Sequence, residues 1–392
     1  MSEDVYIVAA RRTPVGAFQG ILSGATAPQL GAAAARGAID ASGLAAERIQ
    51  ETILGCVLMA GIGQAPARQA ALSAGVPQDV PATTINKMCG SALKALMMAS
   101  DEIRAGSADI ILAGGIESMS NAPYLLPKAR SGLRMGHAEL LDHMLFDGLQ
   151  SPFDGQLMGT FADATAKKYG FTRAQQDEYA AESVRRAVRA VESGAFAEEI
   201  AAVTIKDRKG ERIADKDETP FNCDIAKIPN LKPAFSKDGT VTAASSSSIS
   251  DGAAVAVVAS GRAVKTHGLR PLARIVSYTS HAQAPEWFTT APVGAIRSVL
   301  DRAGWRASQV DLFEINEAFA CVTMAAMHDL ELDHAKVNVN GGACALGHPI
   351  GATGARIMTT LLHALKARNL KRGVASLCIG GGEATAMAVE LV

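Results

Sequence analysis

Asn86-Lys87-Met88-Cys89-Gly90-Ser91-Ala92-Leu93-Lys94-Ala95 is the stretch whose reading decides the fold. Val80-Pro81-Ala82-Thr83-Thr84-Ile85 before it is β-prone, while Leu93, Leu96, Met97 and Ile103 after it recur at helical spacing. A cysteine in a tight, glycine-containing strand-to-helix turn lies among free backbone N–H groups, at the positive end of the helix dipole. That setting is expected to lower the thiol pKa and to offer donors to an oxyanion. The alternative is a small buried cysteine, since free Cys is among the most buried residue types.

Working outward, the same strand-and-helix plan surrounds this turn. Val5 to Ala10 reads as a buried strand and Leu30 to Ser42 as a helix stopped by Gly43. Ile49 to Leu58 reads as a strand and Gln64 to Ala74 as a helix. Asp109 to Ala113 is a strand buried on both faces that ends at Gly114-Gly115. The plan then recurs: Arg36, Asp40, Gly43 and Ile49 are matched by Arg297, Asp301, Gly304 and Val310, each 261 positions later. Pro81 to Asn86 is echoed by Ala335 to Asn340, and Asp109 to Gly115 by Gly373 to Gly381. Alternating strands and helices in two copies predict an α/β molecule of duplicated halves. The middle, from about Glu117 to Ser250, has no counterpart; it holds a helix from Thr172 to Ser193, with a capping box at Thr172 and Gln175. Such an insertion commonly acts as a lid or a ligand-binding appendage. Ser245 to Ser248 reads as a loop donating hydroxyls, just before an apolar strand at Ala253 to Ala259.

In the second half, Gly347-His348-Pro349 places an imidazole on a stiff loop ahead of a helix from Ala355 to Ala367, because proline disfavours helical geometry at His348. Cys378 ends the last buried run and is followed by Ile379-Gly380-Gly381-Gly382, where backbone can approach a ligand and donate to an anion. Ligands gather beyond the carboxyl ends of strands in open α/β sheets, so Cys89, His348 and Cys378 are expected to meet. Asn316, at the end of a strand from Asp311, either holds a water or caps a helix. Two cysteines and a histidine fit acyl transfer through a thioester. Metal binding needs more ligands at closer spacing, and none is expected.

Composition sets the bounds. The 392 residues are too many for one core, so two or three domains are the prior. With 48% hydrophobic and 20% charged residues and a net charge of −1, nothing draws the chain to nucleic acid or an acidic membrane. Six scattered cysteines without a C-x-x-C pair point to a reducing compartment. An acidic N-terminus and the lack of any long apolar run lead to a cytoplasmic expectation, with no membrane partner.

Taken together, Arg11-Arg12-Thr13-Pro14, Asn86-x-x-Cys89-x-Ser91, Gly114-Gly115-x-Glu117-Ser118-Met119-Ser120, Asn316-Glu317-Ala318-Phe319, Gly347-His348-Pro349-x-Gly351 and Cys378-Ile379-Gly380-Gly381-Gly382 resemble the thiolases over essentially the whole length. The resemblance is to acetyl-CoA acetyltransferases in particular. It implies a five-layer αβαβα fold: 1–118 with 251–270 as the first half, 119–250 as an inserted loop domain, and 271–392 as the second half. It implies a ping-pong Claisen condensation of acyl-CoA and the reverse thiolysis, with acetoacetyl-CoA as the expected 3-ketoacyl-CoA. Cys89 then resembles the nucleophile, His348 its base, and Cys378 the group that moves the α-proton. One oxyanion hole would comprise His348 and a water on Asn316, the other the N–H groups of Cys89 and Gly380. Met158, Ala243, Ser247, Ala318 and Phe319 would contact coenzyme A, which is substrate rather than resident cofactor. A homotetramer, a dimer of dimers, is the family habit. The chain departs from the family at Ser245 and Ser248, where asparagine and glycine are common. Further departures are Leu157 for histidine, Ala384 for glycine, and the bulky Glu286-Trp287-Phe288-Thr289-Thr290. These touch acyl-chain preference and CoA contacts, and leave a 3-ketoacyl-CoA thiolase of longer range as an alternative. A ketoacyl-synthase-type enzyme or a non-catalytic acyl-CoA-binding relative is disfavoured by the intact Cys89, His348 and Cys378.

Overall fold

The computed structural model describes residues 3–207 and 210–392. One mixed sheet runs through the molecule, built from β1 (Val5–Arg12), β2 (Glu51–Gly55), β3 (Ala82–Ile85), β4 (Ile110–Ser118), β5 (Ser250–Ser260), β6 (Ala273–Ala282), β7 (Leu312–Ile315), β8 (Arg372–Ile379) and β9 (Glu383–Leu391). Their order is β7-β8-β9-β6-β1-β5-β4-β2-β3, with Gly16–Ala17 beside β5. β3, β2 and β4 are parallel neighbours, as are β7 and β8; the other pairings are antiparallel. Midway, β1 meets β6 through two residue pairs, Tyr6 with Arg274 and Ile7 with Ala273. This short seam joins the halves.

The helices that matter are α1 (Ala27–Ser42), α2 (Pro66–Ser73), α3 (Ser91–Ala105), α4 (Met158–Tyr169), α5 (Arg173–Glu192), α6 (Ala291–Ala303), α7 (Ala320–Leu330) and α8 (Thr353–Ala367). Strand alternation sorts them into layers. In β4, Ile110, Leu112 and Ile116 face Leu30 and Ala34 of α1 and Ala70 of α2. Ile111 and Ala113 face the other way, into a core shared by Leu93 and Leu96 of α3, Ile357 and Leu361 of α8, and Leu377 of β8. On the far side of β8, Val374 joins Val293, Ile296 and Val299 of α6. The stack is therefore α1/α2, half-sheet, α3/α8, half-sheet, α6/α7. That is the expected αβαβα arrangement, with α3 and α8 in the middle layer.

The duplication read in the sequence is visible in detail. Gly43 (φ +72) and Gly304 (φ +68) both end their helices in the left-handed region, each donating its N–H back, to Asp40 and Asp301. Arg36 donates to the carbonyl of Ser73 at the end of α2, and Arg297 to that of Asp329 near the end of α7. β3 lies parallel to β2, and Val337 makes the corresponding parallel bridge to Phe313 of β7.

Several boundaries differ from those expected. β4 does not stop at Gly114-Gly115 but runs on to Ser118. A Cβ on Gly114 would collide with the Ala254 carbonyl of β5, and one on Gly115 with the Gly351 carbonyl. These glycines mark a close crossing of backbones, not a break. α1 starts three residues earlier than Leu30, at a Thr26/Gln29 capping box followed by Pro28. β2 is shorter than 49–58, β5 begins at Ser250, and α8 begins at Thr353. The Thr172/Gln175 capping box of α5 is as read.

The stretch between β4 and β5 is tied to the end of β1 by a buried charge cluster. Arg12 lies 2.5 Å from Glu199 and 2.7 Å from Asp217, all three side chains fully buried, with the guanidinium over the Phe196 ring. Among the described residues no helix is long and apolar enough to cross a membrane.

Candidate active site

The turn after β3 is held open by its own hydrogen bonds. Met88 takes a left-handed φ of +48, a strained value for a side chain of its size. Asn86 Oδ1 accepts the Met88 N–H at 2.9 Å, Ser91 Oγ accepts the Lys87 N–H at 2.8 Å, and Ser91 Oγ donates to the Met88 carbonyl at 2.6 Å. This ring presents Cys89, half-buried, immediately before α3. Burial pushes the thiol up to about 11, against the pull of the Gly380 N–H and its own N–H, both of which favour the thiolate. The expected lowering of this pKa is thus overturned. A helix terminus contributes a partial charge that fades within a turn, whereas desolvation acts on the whole thiolate.

His348 sits where Gly347 (φ +99) turns the chain; a Cβ on that glycine would strike Ser250 Oγ. Its Nδ1 lies 2.6 Å from Thr353 Oγ1, and that hydroxyl donates to the Pro349 carbonyl at 2.9 Å. With its proton so engaged, Thr353 accepts from Nδ1–H, which leaves Nε2 as the bare nitrogen of a neutral imidazole. Burial, then the charge of Arg356, lowers the imidazole pKa to about 3. Nε2 has no protein partner. Nor has either amide atom of Asn316, which is 1% exposed at the end of β7 with its N–H on the Ser376 carbonyl at 2.9 Å. Asn316 does not cap α7, because that helix begins at Ala320 with Phe319 in the cap position.

A cavity of about 360 Å³ brings Cys89 and His348 together, but Asn316 is not among its walls. Its walls include Cys89, His348, Gly380, Met158, Ser247, Ala318, Phe319 and Phe288. A second, largely apolar space of about 210 Å³ shares Met158, Ser247, Phe319 and His348 with it. Cys378 is not a wall of either space. It is fully buried near the end of β8, in one apolar cluster with Ala318, Phe319 and Phe288. Its thiol stands well above the ordinary value, through burial and then the neighbouring Cys89 and Cys321. Ala243 is exposed and borders neither space.

The four serines divide their work. Ser245 Oγ accepts the Thr242 N–H at 2.8 Å and Ser246 Oγ donates to the Thr242 carbonyl at 2.7 Å, so both hydroxyls close the turn. Ser247 donates its N–H to the Ala318 carbonyl at 3.0 Å and remains a cavity wall. Two features escaped the sequence reading, Thr353 and the turn of Met144–Leu149 that supplies Phe146, Asp147, Gly148 and Leu149 to the cavity, and Glu117 was read only as part of a motif, without a role. Buried Glu117 accepts the N–H groups of Val57, Leu58 and Gly351, and so ties the end of β2 to the His348 loop. The signal for Glu117 was its place two residues beyond Gly114-Gly115 in an otherwise apolar run.

Residues 5–262 match the family described as thiolase, N-terminal domain, and residues 269–391 that described as thiolase, C-terminal domain. The chain belongs to the thiolase family. The curated acetyl-CoA acetyltransferase of Pseudomonas aeruginosa is 52% identical to this thiolase over 387 residues, 98% of each chain. That of Cupriavidus necator is 50% identical over 99% of each. Among solved structures, the acetyl-CoA acetyltransferase of Bacillus anthracis superposes with a TM-score of 0.97 at 41% identity, covering 100% of this thiolase and 99% of that chain. The Acat5 thiolase from Ascaris suum, in complex with coenzyme A, gives 0.94 at 42% identity over 100% of both. The fold and family implied by the sequence motifs are those found.

Proposed function

We propose that this thiolase is an acetyl-CoA C-acetyltransferase that interconverts two acetyl-CoA with acetoacetyl-CoA and free coenzyme A. The observation that carries the proposal is the meeting, at one cavity, of Cys89, the Gly380 N–H and the bare His348 Nε2. The names of the relatives agree with it.

In the first half-reaction His348 Nε2 takes the Cys89 proton as the sulfur attacks the thioester carbonyl. The oxygen gathers negative charge and is met by the N–H groups of Cys89 and Gly380, each such donor contributing roughly 3 kcal/mol to the transition state. The tetrahedral species collapses, the coenzyme A thiolate leaves with the proton from His348, and an acetyl group remains on Cys89. In the second, Cys378 passes its proton to His348 Nε2 and, as thiolate, removes an α-proton from a second acetyl-CoA. A thiol whose pKa stands well above normal is a strong base once ionised, which the weakly acidic α-carbon requires. The enolate oxygen is received by the Nε2–H of the now protonated His348 and by a water on Asn316. Its carbon attacks the acetyl group, and Cys89 leaves as thiolate and takes the proton back from His348.

Ser247, Met158, Ala318 and Phe319 form the wall against which the pantetheine arm lies, and Ala243 is assigned to the outer part of coenzyme A. Residues 119–250 serve as the inserted loop domain. Its exposed Tyr124, Leu126, Met135, Leu140 and Phe153 support assembly into a homotetramer, which sedimentation analysis tests.

The decisive experiment mixes purified protein with acetoacetyl-CoA and coenzyme A. The enolate absorbance is expected to fall, and Cys89→Ala to abolish the change. Cys378→Ala is expected to accept a radiolabelled acetyl group on Cys89 but to make no acetoacetyl-CoA. A variant at position 378 that cannot be acetylated would show that the two thiols have been assigned the wrong roles.

A further inference from the structure

We infer that Lys87 and Glu383 form an ionic clamp between the two halves that holds the Gly380 N–H on the oxygen developing over Cys89; both are positioning residues. The inference rests on the acyl-transfer reading above.

Cys89 belongs to the first half and Gly380 to the second, so the oxyanion hole they share exists only while two separate loops keep register. Lys87 Nζ pairs with Glu383 Oε2 directly across that gap. Each partner is rooted in the loop whose position matters. The Lys87 N–H is bound by Ser91 Oγ, in the same hydrogen-bonded ring that presents Cys89. Glu383 opens β9 and is paired with Ile379 of β8 on one side and Ala282 of β6 on the other. The three residues between Ile379 and Glu383 are Gly380, Gly381 and Gly382, with the Gly382 carbonyl fixed by the Gln283 N–H at 2.8 Å.

The loop itself carries no side chain, so those at its two ends are placed to stiffen it, and they act in opposite senses. Ile379 packs on Gly90 so closely that a Cβ there would collide with its Cδ1. Steric contact sets the least distance between the loops. The ion pair sets the greatest, since opposite charges resist separation. Neither Lys87 nor Glu383 lines the cavities, so loss of the pair alters the aim of an N–H without removing a substrate contact. The side chains are 23% and 35% exposed, which leaves the attraction open to screening by salt.

The test uses the full-length enzyme in acetoacetyl-CoA thiolysis. Lys87→Met and Glu383→Gln are each expected to lower kcat roughly two- to fivefold, the range of a partly exposed pair, with KM for both substrates within about twofold and the unfolding midpoint unchanged. Raising salt from about 0.05 to about 0.5 M is expected to bring the parent enzyme's kcat toward that of the variants, whose own kcat stays flat. Exchanging the charges, Lys87→Glu with Glu383→Lys, is expected to restore most of the loss. A raised KM for coenzyme A at unchanged kcat would make Lys87 a substrate contact and overturn the clamp. So would parental kcat in both single variants, or no recovery on charge exchange. Cys89→Ala runs alongside: activity surviving in it would sink the acyl-transfer reading, whereas its loss beside salt-independent kcat sinks the clamp alone.

Discussion

Thr353 meets no substrate, yet it decides which nitrogen of His348 does the chemistry. Its hydroxyl gives its proton to Pro349 and accepts from Nδ1, so the base faces Cys89's cavity unprotonated. Thr353→Val keeps the shape and removes the acceptor. Its kcat is expected to fall about ten- to a hundredfold with KM nearly unchanged, part of the ordinary worth of a general base, and Thr353→Ser to restore it. Iodoacetamide gives an independent reading. The reactive form is the thiolate, so with the Cys89 thiol near 11 the labelling rate of the parent should still be climbing at pH 9, without a plateau near neutrality. His348, at about 3, stays neutral through this range and adds no acid limb above pH 5. In Thr353→Val the labelling deficit should narrow toward pH 10, where hydroxide replaces the imidazole. The identities of Cys89 and His348 were legible because glycine and proline flank them. The sign of the thiol shift was not, since burial is a property of the assembled cavity. Thr353, five places after His348, looked like any helix-opening threonine.

Where elements meet, glycine was the residue read least well. Gly114-Gly115 looked like a stop, but β4 passes straight through, because its neighbours are carbonyl oxygens of β5 and of the His348 loop. Which backbone will cross a glycine cannot be known from local sequence. Gly90 gives the clearest test. Its backbone suits alanine, but the added Cβ would meet Ile379 of β8, which is 1% exposed. Gly90→Ala is expected to cost about 1–3 kcal/mol by overpacking, read from urea unfolding, and to lower kcat by shifting the Gly380 loop. Adding Ile379→Val, which deletes the offending Cδ1, is expected to recover both. The elements' existence was far better marked than their ends: the Thr26 and Thr172 capping boxes fix two helix starts, of which only the second was read, the helix at Ala27 being placed three residues late.

Across the whole molecule, the duplicated plan was legible from four spaced residues, because each does the same work in both halves: an arginine reaching a neighbouring helix, an aspartate and a glycine ending the helix, and an aliphatic residue two places before the strand. The attachment of the stretch between β4 and β5 was not, since its partners lie far apart in the chain. Arg12 meets Glu199 and Asp217 with no exposure on any of them, and Thr360 of α8 donates to Glu199 at 3.0 Å. Arg12→Met strands two buried carboxylates and is expected to cost about 3–5 kcal/mol in urea unfolding. Combining it with Glu199→Gln and Asp217→Asn should return much of that stability; no recovery would mean that the arginine acts through packing on Phe196.

The middle layer carries a last consequence. Cys89 sits just ahead of α3 and Thr353 opens α8, and these two helices lie against each other at the centre of the stack. The reacting groups are thus mounted on the region whose amides should exchange with solvent last. Urea is therefore expected to abolish activity and to unfold the chain at one midpoint, rather than to loosen the machinery first.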